Sequence, residues 1–206
     1  MPQGGEVQVR PGREGDLEAL TDLYNHYIRE TPVTFDTVPL TPEQRRPWLH
    51  SHPKDGPHRL LVATEIPGPG PGTDPGAGSG TDRGTRCGTG SGTEPGPGPG
   101  ERILGYATSS PFRPKPAYGT SVETTVYCAP DALGRGVGSL LYTRLFEELA
   151  GEDLRRAYAG IALPNAASVR LHERFGFGPV GTFHEAGRKF GRYWDVAWFE
   201  RRCGAA

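Results

Sequence analysis

Glu123 is a candidate general base because it stands in a segment with the composition of a strand. The segment "SVETTVY" (121–127) is rich in β-branched residues, which strands favour. Side chains alternate between the two faces of a strand, so Glu123 shares its face with Ser121, Thr125 and Tyr127. A carboxylate beside a substrate can take the proton of an attacking nucleophile, typically for a factor of about 10²–10⁴ in rate. Periodicity alone leaves a simple solvated carboxylate equally open.

Three alternate glycines follow this strand and lead straight into an apolar helical pattern. They are Gly134, Gly136 and Gly138 in "ALGRGVGSLLYTRL" (132–145). Glycines let a ligand approach the backbone closely, and the free amides and the dipole at a helix N-terminus attract an anion. The pattern predicts a cradle for a pyrophosphate, with an ordinary strand-to-helix turn as the alternative. It fits neither a P-loop, which needs a following GK[ST], nor a dinucleotide fingerprint, because Ser139 replaces the third glycine.

A helix predicted over 165–177, started by Asn165 and ended by Gly176, places a histidine beside the same region. His172 lies four residues after Ser168 and seven after Asn165, so the three side chains share one side of the helix. Asn165 is also a suitable N-cap for this helix. His172 is therefore a candidate for proton transfer or substrate binding, and a packing or surface role is the alternative.

Two cations stand in a proline-stiffened loop just before the Glu123 strand. The loop "PFRPKPAY" (111–118) contains Arg113 and Lys115 together with Tyr118. These side chains could hold the carboxylate and a second anionic group of a small amino acid. The alternative is that the two cations only keep the loop soluble.

These candidates need a framework of strands and helices. Helical periodicity and a capping box in "TPEQ" predict helices at 14–29, 41–50, 136–150 and 165–177. Alternation and β-branched composition predict strands at 7–11, 59–66, 101–110, 119–129, 155–163, 178–187 and 189–201. The order β α α β β β α β α β β indicates an α/β or α+β domain with a mixed sheet.

A tract made mainly of glycine, proline and small polar residues fills 67–100. It has almost nothing to bury and cannot offset the entropy of its own ordering. We therefore expect a disordered insertion at the tip of the hairpin between the second and third strands, where long insertions cost little. The rest should form one domain over 5–203.

The composition excludes several classes of function. Lys and Arg number 23 against 24 Asp and Glu, and the net charge of −1 offers no general attraction to nucleic acid or to an anionic membrane. The sequence contains no apolar run long enough to span a bilayer. Cys87, Cys128 and Cys203 lack metal-site and disulfide spacing, so we expect no metal and a reducing cytoplasm. Cys128 is not expected to be a nucleophile, because it falls on the strand face opposite Glu123.

The segments taken together resemble one known family. A strand followed by a motif of the form [RQ]xxGxG at the start of a helix resembles the pyrophosphate-binding motif of the GCN5-related N-acetyltransferases (GNAT). The segments "NHYI", "TPVTF", "VETTVY", "GVGSLLYTRL", "LPNAASVRLHERFGF" and "KFGRYWDV" resemble its phosphinothricin acetyltransferase subgroup. The resemblance covers 7–66 and 101–201. It implies a mixed, mostly antiparallel sheet of about six or seven strands flanked by about four helices.

The resemblance also implies an activity and a set of site residues. Acetyl-CoA would be the co-substrate, a small amino acid analogue the acceptor, and a homodimer the assembly. Catalytic roles are implied for Glu123 as the base, and for Tyr127 and His172. Coenzyme contacts are implied for Val126, Tyr127, Cys128, Gly134, Arg135, Gly136, Val137, Gly138, Ser139, Asn165 and Ser168. Substrate contacts are implied for Phe35, Arg113, Lys115, Tyr118, Thr125, Gly160 and Ala162.

The sequence departs from the family pattern at two places, and it leaves three interpretations of the function open. Leu133 occupies the motif position where glutamine or arginine is usual, so coenzyme binding should be weaker but retained. The tract 67–100 lengthens a hairpin that the family keeps short. L-phosphinothricin is the leading acceptor, and methionine sulfoximine or methionine sulfone is the alternative of the same class. A sensor that binds acyl-CoA without transfer is the rival from another class.

Overall fold

The computed structural model describes residues 5–66 and 101–204. Its α-helices within these ranges are Leu17–Glu30 (α1), Pro42–His50 (α2), Val137–Leu149 (α3) and Ala166–Arg174 (α4). Its strands are Glu6–Pro11 (β1), Leu60–Ile66 (β2), Arg102–Pro111 (β3), Ser121–Cys128 (β4), Arg156–Ala162 (β5), Gly178–Lys189 (β6) and Arg192–Arg202 (β7). The predicted order of elements is confirmed. The tract 67–100, with Cys87, lies outside the described residues.

The strands form one sheet in the order β1-β2-β3-β4-β5-β7-β6. Every neighbouring pair is antiparallel except β4 and β5, which are parallel. The sheet is therefore mixed and mostly antiparallel, as predicted. β2 and β3 pair directly, with Glu65 opposite Arg102. The tract 67–100 therefore connects the two strands of one hairpin.

Helices cover both faces of the sheet because alternate strand residues point to opposite sides. In β2, Leu61 and Ala63 join the core under α3, whereas Leu60 and Val62 join the core under α1 and α2. Fully burying a leucine contributes roughly 1.5–3 kcal/mol, so these two cores hold the helices firmly on the sheet. None of the helices in the described ranges is long and apolar enough to cross a membrane.

Local caps set the helix ends. The predicted capping box of α2 is confirmed: Gln44 N donates to Thr41 Oγ1 at 3.3 Å and Thr41 N donates to Gln44 Oε1 at 2.8 Å. In α4, Ser168 N donates to Asn165 Oδ1 at 3.1 Å, which confirms the predicted N-cap.

Gly176 ends α4 as predicted, with φ of +78°, although the last helical residue comes earlier than the predicted bound of 177. α4 ends at Arg174. Gly176 N then donates to Glu173 O at 3.0 Å and Phe177 N donates to His172 O at 3.1 Å. This pair of bonds is a Schellman motif, which satisfies the last carbonyls and turns the chain into β6.

Candidate active site

A cavity opens where β4 and β5 separate. The parallel ladder between them runs only from Ser121 opposite Arg156 to Glu123 opposite Tyr158. Beyond that point, within 5–66 and 101–204, β4 pairs only with β3 and β5 pairs only with β7. The gap is a cavity of about 450 Å³. Backbone N–H and C=O groups along its edges lack a strand partner on that side, so they are available to a ligand.

Many of the predicted site residues line this cavity together. From β4 they are Thr125, Val126, Tyr127 and Cys128; from β5, Gly160 and Ala162; and from α4 and its cap, Asn165, Ser168 and His172. These residues come from three predicted segments, and the separation of β4 from β5 lets them line one cavity. The cavity therefore brings together the core of the predicted site.

The N-terminus of α3 lies at the mouth of this cavity. Gly134 and Gly136 have φ of +75° and +81°, a left-handed conformation that glycine adopts without the penalty of a Cβ. The first helical bond joins Leu140 N to Gly136 O at 3.0 Å. The amides of Val137, Gly138 and Ser139 precede that bond and have no partner within the helix. They form the expected anion-binding end, although they do not line the cavity itself.

Three side chains around this helix end have defined positions. Leu133 lines the cavity and is 62% exposed. Arg135 forms an ion pair with Glu65 of β2, and Ser139 Oγ accepts a hydrogen bond from Arg174 Nη1 at 3.0 Å. The side chains of Arg135 and Ser139 are thus held by protein groups, so an anion here would meet mainly the main-chain amides.

Glu123 is the last residue of β4 that pairs with β5, and the cavity lining begins at the next residue. It is partly buried. Burial raises the pKa of Glu123 above its ordinary value of 4.5, and the nearby Arg113 guanidinium opposes that rise. A carboxylate with a raised pKa is a better proton acceptor than an exposed one. Its position at the edge of the cavity is compatible with the predicted role as base.

His172 is 3% exposed and both of its ring nitrogens have protein neighbours. Nδ1 lies 2.8 Å from Ser168 O, and Nε2 lies 2.9 Å from Tyr142 Oη. Because a carbonyl can only accept, Nδ1 carries the proton and Nε2 accepts from the tyrosine hydroxyl. Burial lowers the pKa of His172, so the ring is neutral at neutral pH. These bonds connect α3 to α4 along one wall of the cavity.

Tyr127 reaches the cavity from within an aromatic cluster. Its ring lies 5.4 Å from Tyr24, 5.0 Å from Tyr27 and 5.4 Å from Tyr106. Burial holds the pKa of Tyr127 well above its ordinary value, so its hydroxyl stays protonated and can donate a hydrogen bond.

Cys128 is a poor candidate for a nucleophile, as the sequence predicts. Burial raises the pKa of its thiol to about 11, and the thiolate is the nucleophilic form. The sulfur lies 3.7 Å from where a Cβ of Gly138 would stand. Cys128 therefore packs β4 against α3.

Four of the predicted substrate residues do not line the cavity. Arg113, Lys115 and Tyr118 are exposed on the loop between β3 and β4, where the Arg113 guanidinium stacks on Phe112 at 4.2 Å. Phe35 is 37% exposed and packs against Gly187 of β6. Arg113, Lys115 and Tyr118 stand in the loop before β4 begins, and the Phe35 ring is turned towards β6 while residues 31–33 line the cavity.

The sequence also leaves one wall of the cavity unpredicted. Tyr27, Thr31, Pro32 and Val33 line it from the end of α1 and the segment that follows. Tyr27 donates its hydroxyl to Cys128 O at 2.6 Å, which fastens α1 to β4. The shared segments "NHYI" and "TPVTF" pointed to this part of the chain, but no local pattern revealed its contact with β4.

Comparison with known proteins agrees with this geometry. The model of the acetyltransferase (GNAT) family matches residues 98–177. A phosphinothricin N-acetyltransferase of Streptomyces coelicolor is 62% identical, over 98% of this chain and 99% of that protein. An L-methionine sulfoximine/L-methionine sulfone acetyltransferase of Pseudomonas aeruginosa is 26% identical, over 94% of this chain and 93% of that protein.

A solved structure shares the fold. The GNAT superfamily phosphinothricin acetyltransferase of Sinorhizobium meliloti, in complex with AcCoA, superposes with a TM-score of 0.74 at 23% identity. The match covers 96% of this chain and 89% of that one. The chain belongs to the GNAT family of acetyltransferases and, within it, to the phosphinothricin acetyltransferase subgroup. It is accordingly an N-acetyltransferase.

Proposed function

We propose that this enzyme transfers the acetyl group of acetyl-CoA to the α-amino group of a small amino acid analogue, with L-phosphinothricin as the leading acceptor. The observation that carries the proposal is the separation of β4 from β5 beside the free amides at the start of α3. This arrangement offers an anion site and a backbone-lined slot next to each other. An acyl-CoA has a diphosphate and an extended, amide-containing arm that suit these two features.

The coenzyme would bind mainly through backbone groups. The amides of Val137, Gly138 and Ser139 would hold the diphosphate, with the helix dipole adding roughly 0.3–1 kcal/mol. The arm would lie between β4 and β5, close to Asn165 and Ser168. Main-chain N–H groups near Val126 and Tyr127 would polarise the thioester carbonyl, an effect worth about 10²–10³ in rate for each donor in other oxyanion sites.

The transfer would proceed by direct attack in a ternary complex. The ammonium group of the acceptor loses a proton to Glu123, and the free amine attacks the thioester carbon. The new C–N bond forms, the C–S bond breaks, and the thiolate leaves with the coenzyme and takes up the proton that the acylated nitrogen must lose to become a neutral amide. Tyr127 stays protonated beside the reacting groups and can donate to the developing charge. The two hydrogen bonds of His172 favour a role in shaping the cavity wall.

The acceptor site would combine cations with an apolar wall. Arg113 and Lys115 are exposed cations close to Glu123 in the chain, and they would attract the carboxylate and phosphinate of phosphinothricin. Tyr118 and Phe35 would pack on its aliphatic part, and Thr125, Gly160 and Ala162 would shape the inner end. The much higher identity to the phosphinothricin enzyme than to the methionine sulfoximine enzyme favours phosphinothricin over the sulfoximine and the sulfone.

We also propose a cytoplasmic homodimer. β6 is an edge strand that pairs only with β7 among the described residues. It exposes Val180 at 58% and Phe183 at 61%, beside Tyr193 of β7 at 58%. Exposed edge strands with apolar side chains favour pairing with a second chain. Light scattering of the wild type should give twice the monomer mass. Phe183→Glu should lower the measured mass to that of the monomer. A wild type with the monomer mass would refute the dimer.

The test of the activity is a thiol-release assay with acetyl-CoA over a panel of amino acids. The panel includes L-phosphinothricin, methionine sulfoximine and methionine sulfone, each with the wild type and Glu123→Gln. We expect the highest kcat/KM with L-phosphinothricin and a large loss in the variant. Coenzyme binding without turnover on any amine would instead establish the non-catalytic sensor.

A further inference from the structure

Lys189, the last residue of β6, is a buried cation that the proposed reaction does not use. Lys189 is 5% exposed. Nζ donates to Thr34 O at 2.7 Å and, more weakly, to Tyr27 O at 3.5 Å. An ammonium is costly to bury unless its N–H groups are satisfied. The buried ammonium group of Lys189 therefore serves to bind these two carbonyls.

Both carbonyls belong to the wall that the sequence did not predict. Thr34 lies in the segment 31–36, whose first three residues line the cavity. On the side of α1, the Tyr24 hydroxyl donates to Asp36 Oδ2 at 2.6 Å and lies 2.7 Å from Thr34 Oγ1. On the side of β6, Lys189 holds the same segment. The wall is therefore fastened from two directions.

A second contact joins β6 to this segment next to the first. Phe35 packs so closely on Gly187 that a Cβ at position 187 would lie 2.3 Å from its ring. α1 packs on β3 and β4, whereas β6 is the edge strand on the far side of β5. The contacts of residues 187 and 189 with residues 34 and 35 thus bridge the two parts of the sheet that the cavity separates.

The bridge also reaches the centre of the site. The Thr34 side chain lies beside the hydroxyl of Tyr127, a residue that lines the cavity. Because the Tyr24 hydroxyl uses its proton on Asp36, the Thr34 hydroxyl donates its one proton to Tyr24 and accepts from Asp36 N. A displacement of Thr34 would therefore disturb Tyr127 as well as the wall.

We propose that Lys189 is a positioning residue that holds segment 31–36 in place across the cleft and so sets the shape of the acceptor site. The catalytic consequence rests on the proposed acetyltransferase function, and the structural consequence does not. Lys189 keeps the wall and Tyr127 pre-organised, which reduces what the enzyme must order when the acceptor binds.

The test compares Lys189→Met with the wild type and with the control Arg188→Met, which removes the neighbouring, exposed cation. In Lys189→Met, hydrogen exchange of the Val33 and Asp36 amides should become at least about tenfold faster, because the segment opens locally. KM for the acceptor should rise about tenfold while the Kd of acetyl-CoA changes less than about twofold, since the wall no longer comes preformed. Arg188→Met should match the wild type in all three measurements.

Two further variants keep the test decisive. If Lys189→Met does not fold, Lys189→Gln takes its place, because it keeps a neutral N–H donor and should show a smaller change of the same kind. Gly187→Ala should reproduce the faster exchange by pushing Phe35 away, with the charge intact.

The outcomes separate this proposal from the proposed function. Unchanged exchange over 31–36 in the Lys189 variants overturns the proposal, and so does faster exchange with an unchanged KM for the acceptor. If the wild type acetylates no amino acid, the proposed function fails, and the exchange data alone decide whether Lys189 holds the segment.

Discussion

The two halves of β4 have different neighbours. Residues 121–123 are paired with β5, and Val122 and Glu123 are paired with β3 as well. At residues 124–128 the strand is paired with β3 alone. The backbone groups of the first half are satisfied by the sheet, whereas those facing the gap in the second half need another partner. Glu123 stands at the boundary between the two halves.

This difference explains why the site lies where it does. The paired half fixes Glu123 rigidly, and a rigid element holds a catalytic group more accurately than a loop. The open half provides a slot for an extended ligand without breaking any existing ladder. In the proposed mechanism, a split in one sheet thus supplies both a fixed base and a binding slot, and variants in the two halves of β4 and beside them should have different effects.

The largest effect is expected at the boundary, from Glu123→Gln. It should lower kcat/KM by about 10²–10⁴, because the amine loses its proton acceptor, and it should leave the Kd of acetyl-CoA unchanged. In the wild type, kcat/KM should fall as the pH drops through the pKa of Glu123, which burial places above 4.5. The variant should lack that acidic limb. Glu147→Gln on the exposed face of α3 is the control, and equal activity in both variants would remove Glu123 from the mechanism.

A smaller effect is expected at the anion-binding end, from Gly136→Ala. A non-glycine residue in the left-handed conformation costs about 1–2 kcal/mol, so the loop should relax and the amides should lose their alignment. Isothermal titration should show the Kd of coenzyme A rising about tenfold, the affinity change for about 1.4 kcal/mol. Gly151→Ala is the matched control, because a Cβ there meets nothing within 4 Å. Unchanged affinity in Gly136→Ala would mean that the diphosphate lies elsewhere.

A still smaller effect, of opposite sign, is expected from Leu133→Arg at the mouth of the open half. The new guanidinium would face the diphosphate in an exposed position, where such a contact is worth about 0.2–1 kcal/mol. Coenzyme A should bind up to about fivefold more tightly in low salt, and the gain should shrink at high salt. Val38→Arg, at another exposed apolar position, should change nothing. An equal gain in both variants would point to general charge attraction and would contradict a specific contact at residue 133.

The smallest effect is expected from deleting 67–100. Glu65 pairs with Arg102 in the β2–β3 ladder, so a two-residue turn can replace the tract without moving either strand. Differential scanning calorimetry and the thiol-release assay should both give values close to those of the full chain. A large fall in melting temperature or in rate would show that the tract contributes to the paired part of the sheet.

Local features of the fold and site were predictable from the sequence, and long-range ones were not. The Thr41 and Asn165 caps and the glycine conformation at Gly136 depend on residues within a few positions of each other. The separation of β4 from β5 depends on which strands pair, which periodicity does not specify. The contact of Lys189 with Thr34 joins distant parts of the chain, and a lysine in a strand gives no sign that it is buried. The glycine that ends α4 was predictable for the same reason as the caps, but the exact last residue, Arg174, was not, because the closing turn takes up the residues before and after Gly176.

The most direct test of the account is a crystal structure of the enzyme with acetyl-CoA. The diphosphate should lie within about 3.2 Å of the amides of Val137, Gly138 and Ser139, at ordinary hydrogen-bond distance. The thioester should lie between β4 and β5, with the Glu123 carboxylate facing the acetyl group. A coenzyme bound outside this gap, or a carboxylate turned away from the acetyl carbon, would contradict the account.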